Sequence, residues 1–214
     1  MAQTEQKNQN VKKQFEELQS LLERAMALQT SMVLFEWDDE TLAPKGAAEH
    51  TARVIGSLSE QYQEILASMR FKELLDVCQK AEKENAGVFD EVQSAILREA
   101  AEEQERLSCI PPEEYRAYAE LTARATGIWT RAREKNDFAS FAPVLKEIIS
   151  YQKKFAAYRA KPGQKLYDVM LDSFEPGFTM KKLDEFFDML KEHIVPLLKQ
   201  VMESPVRIQD DFLD

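Results

Sequence analysis

The amino-acid sequence predicts an all-α protein of about six or seven helices, arranged as an antiparallel, bundle-like array. Apolar residues recur at three- and four-residue intervals along the chain, and no segment sustains the two-residue alternation that is typical of a strand. Charged residues make up 31% of the 214 positions, whereas the sequence has six Gly and eight Pro. This composition favours long helices joined by short connections.

The N-terminal half of the chain carries the first predicted helices. The first helix is expected from about Asn10 to about Phe35. Ser68 is expected to begin a short helix, and Asn85 is an N-cap candidate for a longer helix that ends near Ser108. The apolar stripe of the first helix consists of Val11, Phe15, Leu18, Leu22, Ala25 and Met32, widened by Leu21, Leu28 and Phe35.

The C-terminal half shows clear helix starts. A helix should begin at Pro111-Pro112-Glu113-Glu114, because proline is tolerated in the first turn and acidic side chains there face the positive end of the helix dipole. Ser140 is predicted to cap the next helix and Thr179 the last one. Pro196 lies inside the last helix and should kink it, since its ring removes a backbone hydrogen bond.

Two glycines lie inside helical patterns. At Gly56 and Gly127 each glycine costs about 1 kcal/mol relative to alanine in a helix interior. Close approach of a neighbouring helix is the expected compensation at both positions.

The predicted organisation is a disordered polar N-terminus at residues 1–10, a helical region at 11–204 and a tail, or the start of further chain, at 205–214. The net charge of −10 argues against nucleic acid or an anionic membrane as a partner. Residues 1–10 are polar and lack the apolar run that is typical of a signal peptide, and no apolar run approaches the roughly 20 residues that cross a bilayer. Cys78 and Cys109 are far apart and are interpreted as buried, reduced thiols, so a cytoplasmic location is expected.

The residues that catalysis or metal binding would require are sparse. His50 and His193 are the two histidines, and neither has a second histidine four residues away. A catalytic zinc site typically needs three protein ligands, so no zinc ligand, catalytic residue or cofactor is predicted in this chain. The residues three positions before the histidines are Ala47 and Leu190, which excludes the paired Glu-x-x-His units of a di-iron bundle.

Three separated motifs carry the strongest signal in the chain. They follow the patterns W-D-x-E-T, W-x-x-A-R-x-x-N-D-F-x-x-F-x-P-x-L and Y-D-x-L-L-D-x-[YF]-E-P-G, except that Met170 stands where the third pattern has leucine. In order along the chain they resemble motifs of the carboxypeptidase Taq family. The residues of this sequence that match are Trp37, Asp38, Glu40, Thr41, Trp129, Arg133, Asn136, Asp137, Phe138, Phe141, Pro143, Tyr167, Asp168, Glu175, Pro176 and Gly177.

This resemblance implies a zinc metallocarboxypeptidase, which releases C-terminal residues from peptides and is usually a dimer. It also implies that residues 11–204 form the N-terminal helical region, which serves as a lid or wall over the substrate groove. The zinc ligands of the family, on an H-E-x-x-H helix, have no matching positions here. Zinc (or cobalt) and peptide substrate are therefore expected only in a complete enzyme, and this chain is predicted to be non-catalytic alone.

The motif residues have both structural and functional interpretations. Trp129 and Phe138 are expected to be core anchors, with groove lining as the alternative. Arg131 or Arg133 either pairs with an acid such as Asp137 or holds a peptide carboxylate.

The first motif is expected to fix the exit of the first helix. Asp38 or Asp39 would cap backbone amides and Trp37 would pack underneath, whereas the alternative is a direct substrate role for Asp38 or Glu40.

Two functions remain open. The chain is either the N-terminal portion of such an enzyme, as a truncated product, a split-gene product or an expressed domain, or a stand-alone helical dimerisation or scaffolding protein. Accordingly, the expected partner is a second copy of the chain or a missing C-terminal catalytic half.

Overall fold

The computed structural model describes residues 2–85 and 87–206. Within them the chain forms eight α-helices and no strand, so the all-α class is confirmed, while the expected count of six or seven is slightly too low. The antiparallel order of the array stays a prediction. The helices are α1 (Ala2–Thr41), α2 (Ala48–Leu66), α3 (Met69–Glu84), α4 (Glu91–Ser108), α5 (Pro112–Glu134), α6 (Phe138–Arg159), α7 (Leu166–Asp172) and α8 (Met180–Glu203), with a 3₁₀ turn at Lys45–Ala47 before α2.

The first helix is longer than the sequence pattern indicated. The prediction placed it between about Asn10 and Phe35, with residues 1–10 outside it, but α1 runs from Ala2 to Thr41. The apolar stripe marks only the part of α1 that is packed, because its buried residues are Val11, Phe15, Leu18 and Ala25. Of the expected tail at 205–214, residues 207–214 lie outside the described residues.

The chain divides into two compact units. The first unit is Met1–Arg159 and the second unit is Ala160–Asp214. The helical region predicted at 11–204 therefore spans both units.

The core of the first unit is built mainly from α1, α3 and α4. Side chains from these helices are buried together, and the rings of Phe15 in α1 and Phe89 before α4 lie 5.1 Å apart. Burial of this apolar surface is the main favourable term in folding. The core residues are Val11, Phe15, Leu18, Ala25, Leu66, Phe71, Leu74, Leu75, Cys78, Ala81, Val88, Phe89, Leu97, Ala100 and Leu107.

A buried amide connects α2 to the end of α4. Gln63 is fully buried, and its Nε2 donates hydrogen bonds to the backbone oxygens of Leu107 at 3.1 Å and Ile110 at 2.6 Å. The last carbonyls of a helix lack partners within the helix, and this side chain supplies donors to them. The oxygen of Leu107 also accepts from the N–H of Ile110 at 3.1 Å.

The two helical glycines have different surroundings. A Cβ at Gly56 would overlap Cγ of Glu120 in α5, so the expected close approach of a second helix is confirmed there. At Gly127 the expectation is wrong, because the nearest atom to a Cβ is Nη1 of Arg131 in the same helix, at 3.5 Å. The α2–α5 contact also includes an ion pair between Arg116 and Glu60, with Nη1 and Oε2 3.0 Å apart.

Helix α6 packs on α5 through aromatic and polar side chains. Nε2 of Gln152 donates a hydrogen bond to the hydroxyl of Tyr118 in α5, whose ring lies 5.3 Å from the ring of the buried Phe155. Nearer the start of α5, Glu114 accepts a hydrogen bond from Nζ of Lys154 at 2.6 Å. These contacts attach α6 to the rest of the first unit.

Most predicted helix starts are confirmed. Ser68 and Thr179 cap α3 and α8 through their side-chain oxygens, and Pro112 is the first residue of α5. Pro196 lies inside α8, which continues to Glu203.

Two predicted caps are wrong. The N-cap of α4 is Asp90, which forms a reciprocal capping box with Gln93, whereas Asn85 ends α3. A carboxylate paired with a glutamine three residues later satisfies two backbone donors, which a lone asparagine does not. The second wrong cap is Ser140 at α6, where Asp137 accepts the hydrogen bond from the backbone N–H of Ser140 instead.

Both cysteines are free thiols. Cys78 is buried in the core, and this burial raises its pKa to about 11. Cys109 is only half-buried, so the expectation of two buried thiols holds for Cys78 alone. None of the helices in the described part of the chain combines the length and apolarity that crossing a bilayer requires.

The packing of α1 leads to a prediction for two positions on the same helix. Leu18 is fully buried, whereas 63% of Met26 is exposed. Leu18→Ala should lower the free energy of unfolding by about 2–5 kcal/mol, because it removes buried methyl groups and leaves a cavity. Met26→Ala, the matched control, should change it by less than about 0.5 kcal/mol. Urea unfolding followed by circular dichroism measures both, and equal losses would contradict this account of α1.

Candidate functional site

The three sequence motifs all lie where one helix ends and the next begins. The first closes α1, the second joins α5 to α6, and the third joins α7 to α8. The first two belong to the first unit and the third to the second unit. Their backbone and side-chain hydrogen bonds explain why these residue types occur at these positions.

The first motif ends α1. The Thr41 hydroxyl donates to the backbone oxygen of Trp37 at 2.6 Å, and the backbone oxygen of Asp38 accepts from the N–H groups of Leu42 and Ala43 at 2.9 and 2.8 Å. Trp37 was expected to pack under this turn, but 57% of it is exposed. Asp38 acts here through its main chain, and the Asp38 and Glu40 side chains lie at the surface.

The second motif is a helix stop. Asn136 has a φ of 51°, and its N–H donates to the oxygen of Arg133 at 3.1 Å. The N–H of Asp137 donates to the oxygen of Ala132 at 2.8 Å. This pair of bonds is the Schellman arrangement, in which the residue after the helix adopts the left-handed conformation. Asparagine tolerates that conformation better than most residues with a Cβ.

The same motif also starts α6. Oδ1 of Asp137 accepts a hydrogen bond from the N–H of Ser140 at 3.2 Å. Asp137 is therefore the last residue of the arrangement that ends α5 and also the cap of α6. Further along α6, Phe141 is half-buried and Pro143 lies inside the helix. The connection between α5 and α6 is therefore short and fixed by local hydrogen bonds.

The aromatic residues of the second motif are not core anchors in this chain. The exposed fractions of Trp129 and Phe138 are 45% and 68%. The guanidinium of Arg133 lies over the indole of Trp129, with its Cζ 5.3 Å from the ring centroid. A cation and the face of an aromatic ring attract each other. The prediction of buried anchors is wrong because the surface that would cover them is not supplied by the described residues.

The third motif holds α7 against α8. Oδ1 of Asp168 accepts from the N–H of Met180, the first residue of α8, at 2.8 Å. Oδ1 of Asp172 accepts from the N–H of Gly177 at 2.7 Å. An acceptor at a helix start satisfies a donor that has no partner within the helix.

A tight turn lies within this third motif. The N–H of Phe178 donates to the oxygen of Glu175 at 2.9 Å, and Gly177 has a φ of 79°. Pro176 and Gly177 occupy the central positions where a type II turn favours proline and glycine, which confirms the predicted turn. Tyr167 opens the motif with 56% of its surface exposed.

An acidic cavity of about 210 Å³ lies among α1, α2 and α5 of the first unit. It brings Glu40 of the first motif together with residues that the sequence analysis did not single out. Burial, and then the nearby charge of Glu40, raise the pKa of Glu36 above the usual range of a glutamate. The lining residues are Glu36, Asp39, Glu40, Ala48, Thr51, Ala52, Ile55, Thr122, Ala123 and Thr126.

One signal in the sequence could have indicated part of this cavity. Glu36 and Glu40 are four residues apart on α1, which places two like charges on one face of the helix. The threonines from α5 could not have been predicted, because they reach the cavity only through the packing of distant segments.

Comparison with models of known protein families identifies the family of this chain. A model of the carboxypeptidase Taq (M32) metallopeptidase family matches residues 17–214. This chain belongs to that family. The resemblance that the three motifs suggested is thereby confirmed.

Known relatives in the M32 family are much longer than this chain. It is 37% identical over 193 residues to carboxypeptidase 1 of Bacillus subtilis, which covers 90% of this chain and 38% of the relative. A crystal structure titled BsuCP superposes with a TM-score of 0.83 at 37% identity, again over 90% of this chain and 38% of the other. Trypanosoma cruzi metallocarboxypeptidase 1 superposes with a TM-score of 0.70 at 28% identity, over 89% and 38%. The chain thus spans about two fifths of these relatives.

M32 enzymes are metallopeptidases, so a complete enzyme of the family uses a metal ion. The side chains described in this chain do not fit such an ion. His50 is an exposed residue of α2 in the first unit, and His193 belongs to α8 in the second unit, where its Nδ1 lies 2.9 Å from the oxygen of Met189. Residues 2–85 and 87–206 contain no group of three or more His, Cys, Asp or Glu side chains arranged to hold a metal.

The left-handed residue of the second motif gives a stability prediction. Asn136→Ala should cost about 1–2 kcal/mol, because alanine is strained at a positive φ. Asn136→Gly, the matched control, should leave stability within about 0.5 kcal/mol of the parent, since glycine adopts that conformation freely. Chemical denaturation measures both variants. An alanine variant as stable as the glycine variant would contradict the Schellman assignment.

The acidic cavity gives a prediction about titration. The pKa of Glu36 should lie above that of an ordinary glutamate, and Glu40→Gln should lower it part of the way, because burial is the larger cause and remains. Carboxyl chemical shifts followed by NMR against pH measure the change. Glu23→Gln on the same helix is the control and should leave the pKa of Glu36 unchanged.

The raised pKa of Glu36 also contributes a pH dependence to the stability of the fold. The folded pKa of Glu36 is raised, so the stability gained on its protonation is fully present below the unfolded pKa and is lost as the pH rises through the folded pKa. This dependence should weaken in the Glu40→Gln variant. A Glu36 pKa that does not respond to Glu40→Gln would show that the two carboxylates are not close.

Proposed function

We propose that this chain is the N-terminal helical portion of a carboxypeptidase Taq-like zinc metallocarboxypeptidase, which releases C-terminal residues from peptides when complete. The observation that carries the proposal is the family match over residues 17–214 in a chain that spans only about two fifths of its relatives. The absence of a metal-binding group among the described side chains supports placing the zinc (or cobalt) ion and the hydrolytic residues in the other portion. On this proposal the chain has no peptidase activity by itself.

The proposed role of this portion is to form a wall of the substrate groove. The exposed aromatic residues of the two motifs in the first unit, Trp37, Trp129 and Phe138, support that role because they lie close to hydrogen-bonded helix ends. Rigid aromatic side chains are well suited to contact a peptide, since they offer large areas at little cost in conformational entropy. The stacked Arg133 adds a positive charge beside this surface, which would suit the carboxylate of a peptide.

The remaining parts of the proposal concern location, partners and architecture. A cytoplasmic protein with a peptide substrate fits the net charge of −10, which disfavours nucleic acid and anionic membranes. An antiparallel array is supported by contacts between α2 and α5 that run in opposite order along the two helices. In these contacts Glu60 meets Arg116, Gly56 meets Glu120, and Glu49 meets Arg124.

A second candidate is a stand-alone helical protein that forms dimers or scaffolds. Exposed apolar side chains on the C-terminal half of α1 favour it, because uncovered apolar surface promotes self-association. These side chains are Met26, Val33, Leu34, Trp37 and the following Leu42. Light scattering at high protein concentration tests this candidate, since a mass equal to one chain would contradict it.

The proposal predicts the outcome of a direct assay. The purified 214-residue chain, supplied with Zn²⁺ or Co²⁺, should release no C-terminal residue from amino-blocked dipeptides, because the side chains of residues 2–85 and 87–206 offer no group that could hold a catalytic metal. Carboxypeptidase 1 of Bacillus subtilis under the same conditions is the positive control. Metal-dependent release by the purified chain, abolished by a chelator, would overturn the proposal.

A further inference from the structure

Helix α8 exposes many apolar side chains on its surface. This helix has 24 residues from Met180 to Glu203, and none of them is buried. Side chains that normally form cores nevertheless occupy much of it. Those exposed by more than a third are Phe186, Phe187, Met189, Ile194, Val195, Leu197, Leu198, Val201 and Met202.

The apolar residues of α8 follow a regular pattern. Leu183, Phe187, Leu190, Ile194, Leu197 and Val201 recur at alternating intervals of four and three residues, which places them along one stripe of the helix. Charged residues such as Asp184, Asp188 and Lys191 flank this stripe. A helix with one apolar and one polar side is built to pack by its apolar side against another surface.

A surface groove of about 420 Å³ runs along part of this stripe. Phe187, Leu190, Ile194 and Val195 provide its apolar lining, and Asp184, Asp188 and Lys191 stand at its edges. Its lining residues all come from α8, so the groove is a row of gaps between side chains of one helix. Such gaps are the holes into which side chains of a facing element insert.

We propose that the apolar face of α8 docks against the C-terminal, catalytic portion of the metallocarboxypeptidase, an inference that rests on the proposed function. The family match continues through α8 to residue 214, and more than half of each relative lies outside the matched part. The relatives therefore hold this segment within a much longer chain, which supplies a surface to cover it. A crystal structure of a longer relative, BsuCP, superposes on 90% of this chain with a TM-score of 0.83.

A second copy of the chain fits the face less well. Each copy carries a net charge of −10, so two copies repel one another before they meet. Pro196 interrupts the backbone hydrogen bonding in the middle of the stripe, which disfavours the continuous pairing of two identical straight helices. Docking on a shaped surface of a larger chain avoids both difficulties.

The test compares the 214-residue chain alone with a full-length chimaera, in which residues 17–214 replace the matched segment of Bacillus subtilis carboxypeptidase 1. The variant is Ile194→Glu with Val201→Glu, and the matched control is Val92→Glu in α4, of which 68% is exposed. In the isolated chain all variants should have the Tm of the parent within about 2 °C, because exposed positions tolerate substitution. In the chimaera the α8 variant should lower Tm by about 5 °C or more, since docking would bury two charges, while the control should not.

Hydrogen exchange gives a second measurement that does not depend on a variant folding. Backbone amides of residues 183–203 should exchange at least about tenfold more slowly in the parent chimaera than in the isolated chain, because docked helices open less often. Amides of α3, within the core of the first unit, should exchange at the same rate in both.

The outcomes separate this inference from the proposed function. A chimaera that hydrolyses peptides but shows neither α8 protection nor sensitivity to the α8 variant would overturn the docking surface alone. A chimaera that protects α8 without hydrolysing peptides, or that does not fold, would count against the proposed function. An isolated chain that sediments as a dimer and becomes a monomer with the α8 variant would assign the face to a second copy. Protection of α8 in an isolated monomer would assign it to the chain itself, and either result overturns the proposal.

Discussion

The fold of the first unit depends on the buried amide of Gln63. From the last turn of α2 it donates to two carbonyl oxygens where α4 ends, and so it fixes the exit of that helix next to the start of α5. Since α5 packs back against α2 at Gly56, α2 contacts both of these helices. An apolar side chain at position 63 would remove both hydrogen bonds. The oxygen of Leu107 would keep its bond from the N–H of Ile110, whereas the oxygen of Ile110 would lose the donor that Gln63 supplies, and unpaired polar groups are costly where water is excluded. The apolar core supplies most of the stability, whereas this polar contact specifies which arrangement is formed.

The motifs that identify the family serve the architecture first. The first motif stops α1, and the second combines residues that stop one helix with a residue that starts the next, as Asn136 and Asp137 do between α5 and α6. In the second unit Asp168 and Gly177 do the same for α7 and α8. Helix ends held in this way keep nearby aromatic side chains at defined positions on the surface. The motifs are therefore accounted for by the helix joints that they form, and the proposed groove wall needs rigid joints rather than reactive side chains.

Local patterns in the sequence were sufficient for much of the fold. Val11, Phe15 and Leu18 are buried as their spacing indicated, and Ser68 and Thr179 cap their helices. Two predicted N-caps were wrong because a nearby aspartate caps the helix instead. Asp90 does so in place of Asn85, and Asp137 does so in place of Ser140. Trp129 and Phe138 were wrongly assigned to the core. An aromatic residue type favours burial, but the sequence pattern does not say which surface would pack against it. The acidic cavity was missed for a different reason, since segments distant in sequence create it.

The contact between Gly56 and Glu120 links two positions that are 64 residues apart. Any side chain added at position 56 must enter space that the glutamate occupies, and that glutamate is held in place by Arg116. Position 56 is therefore not free to gain a side chain while Glu120 occupies this space. In a lineage descended from this protein, a larger residue at 56 would persist only after position 120 had shrunk, so the order of the two replacements is constrained by geometry.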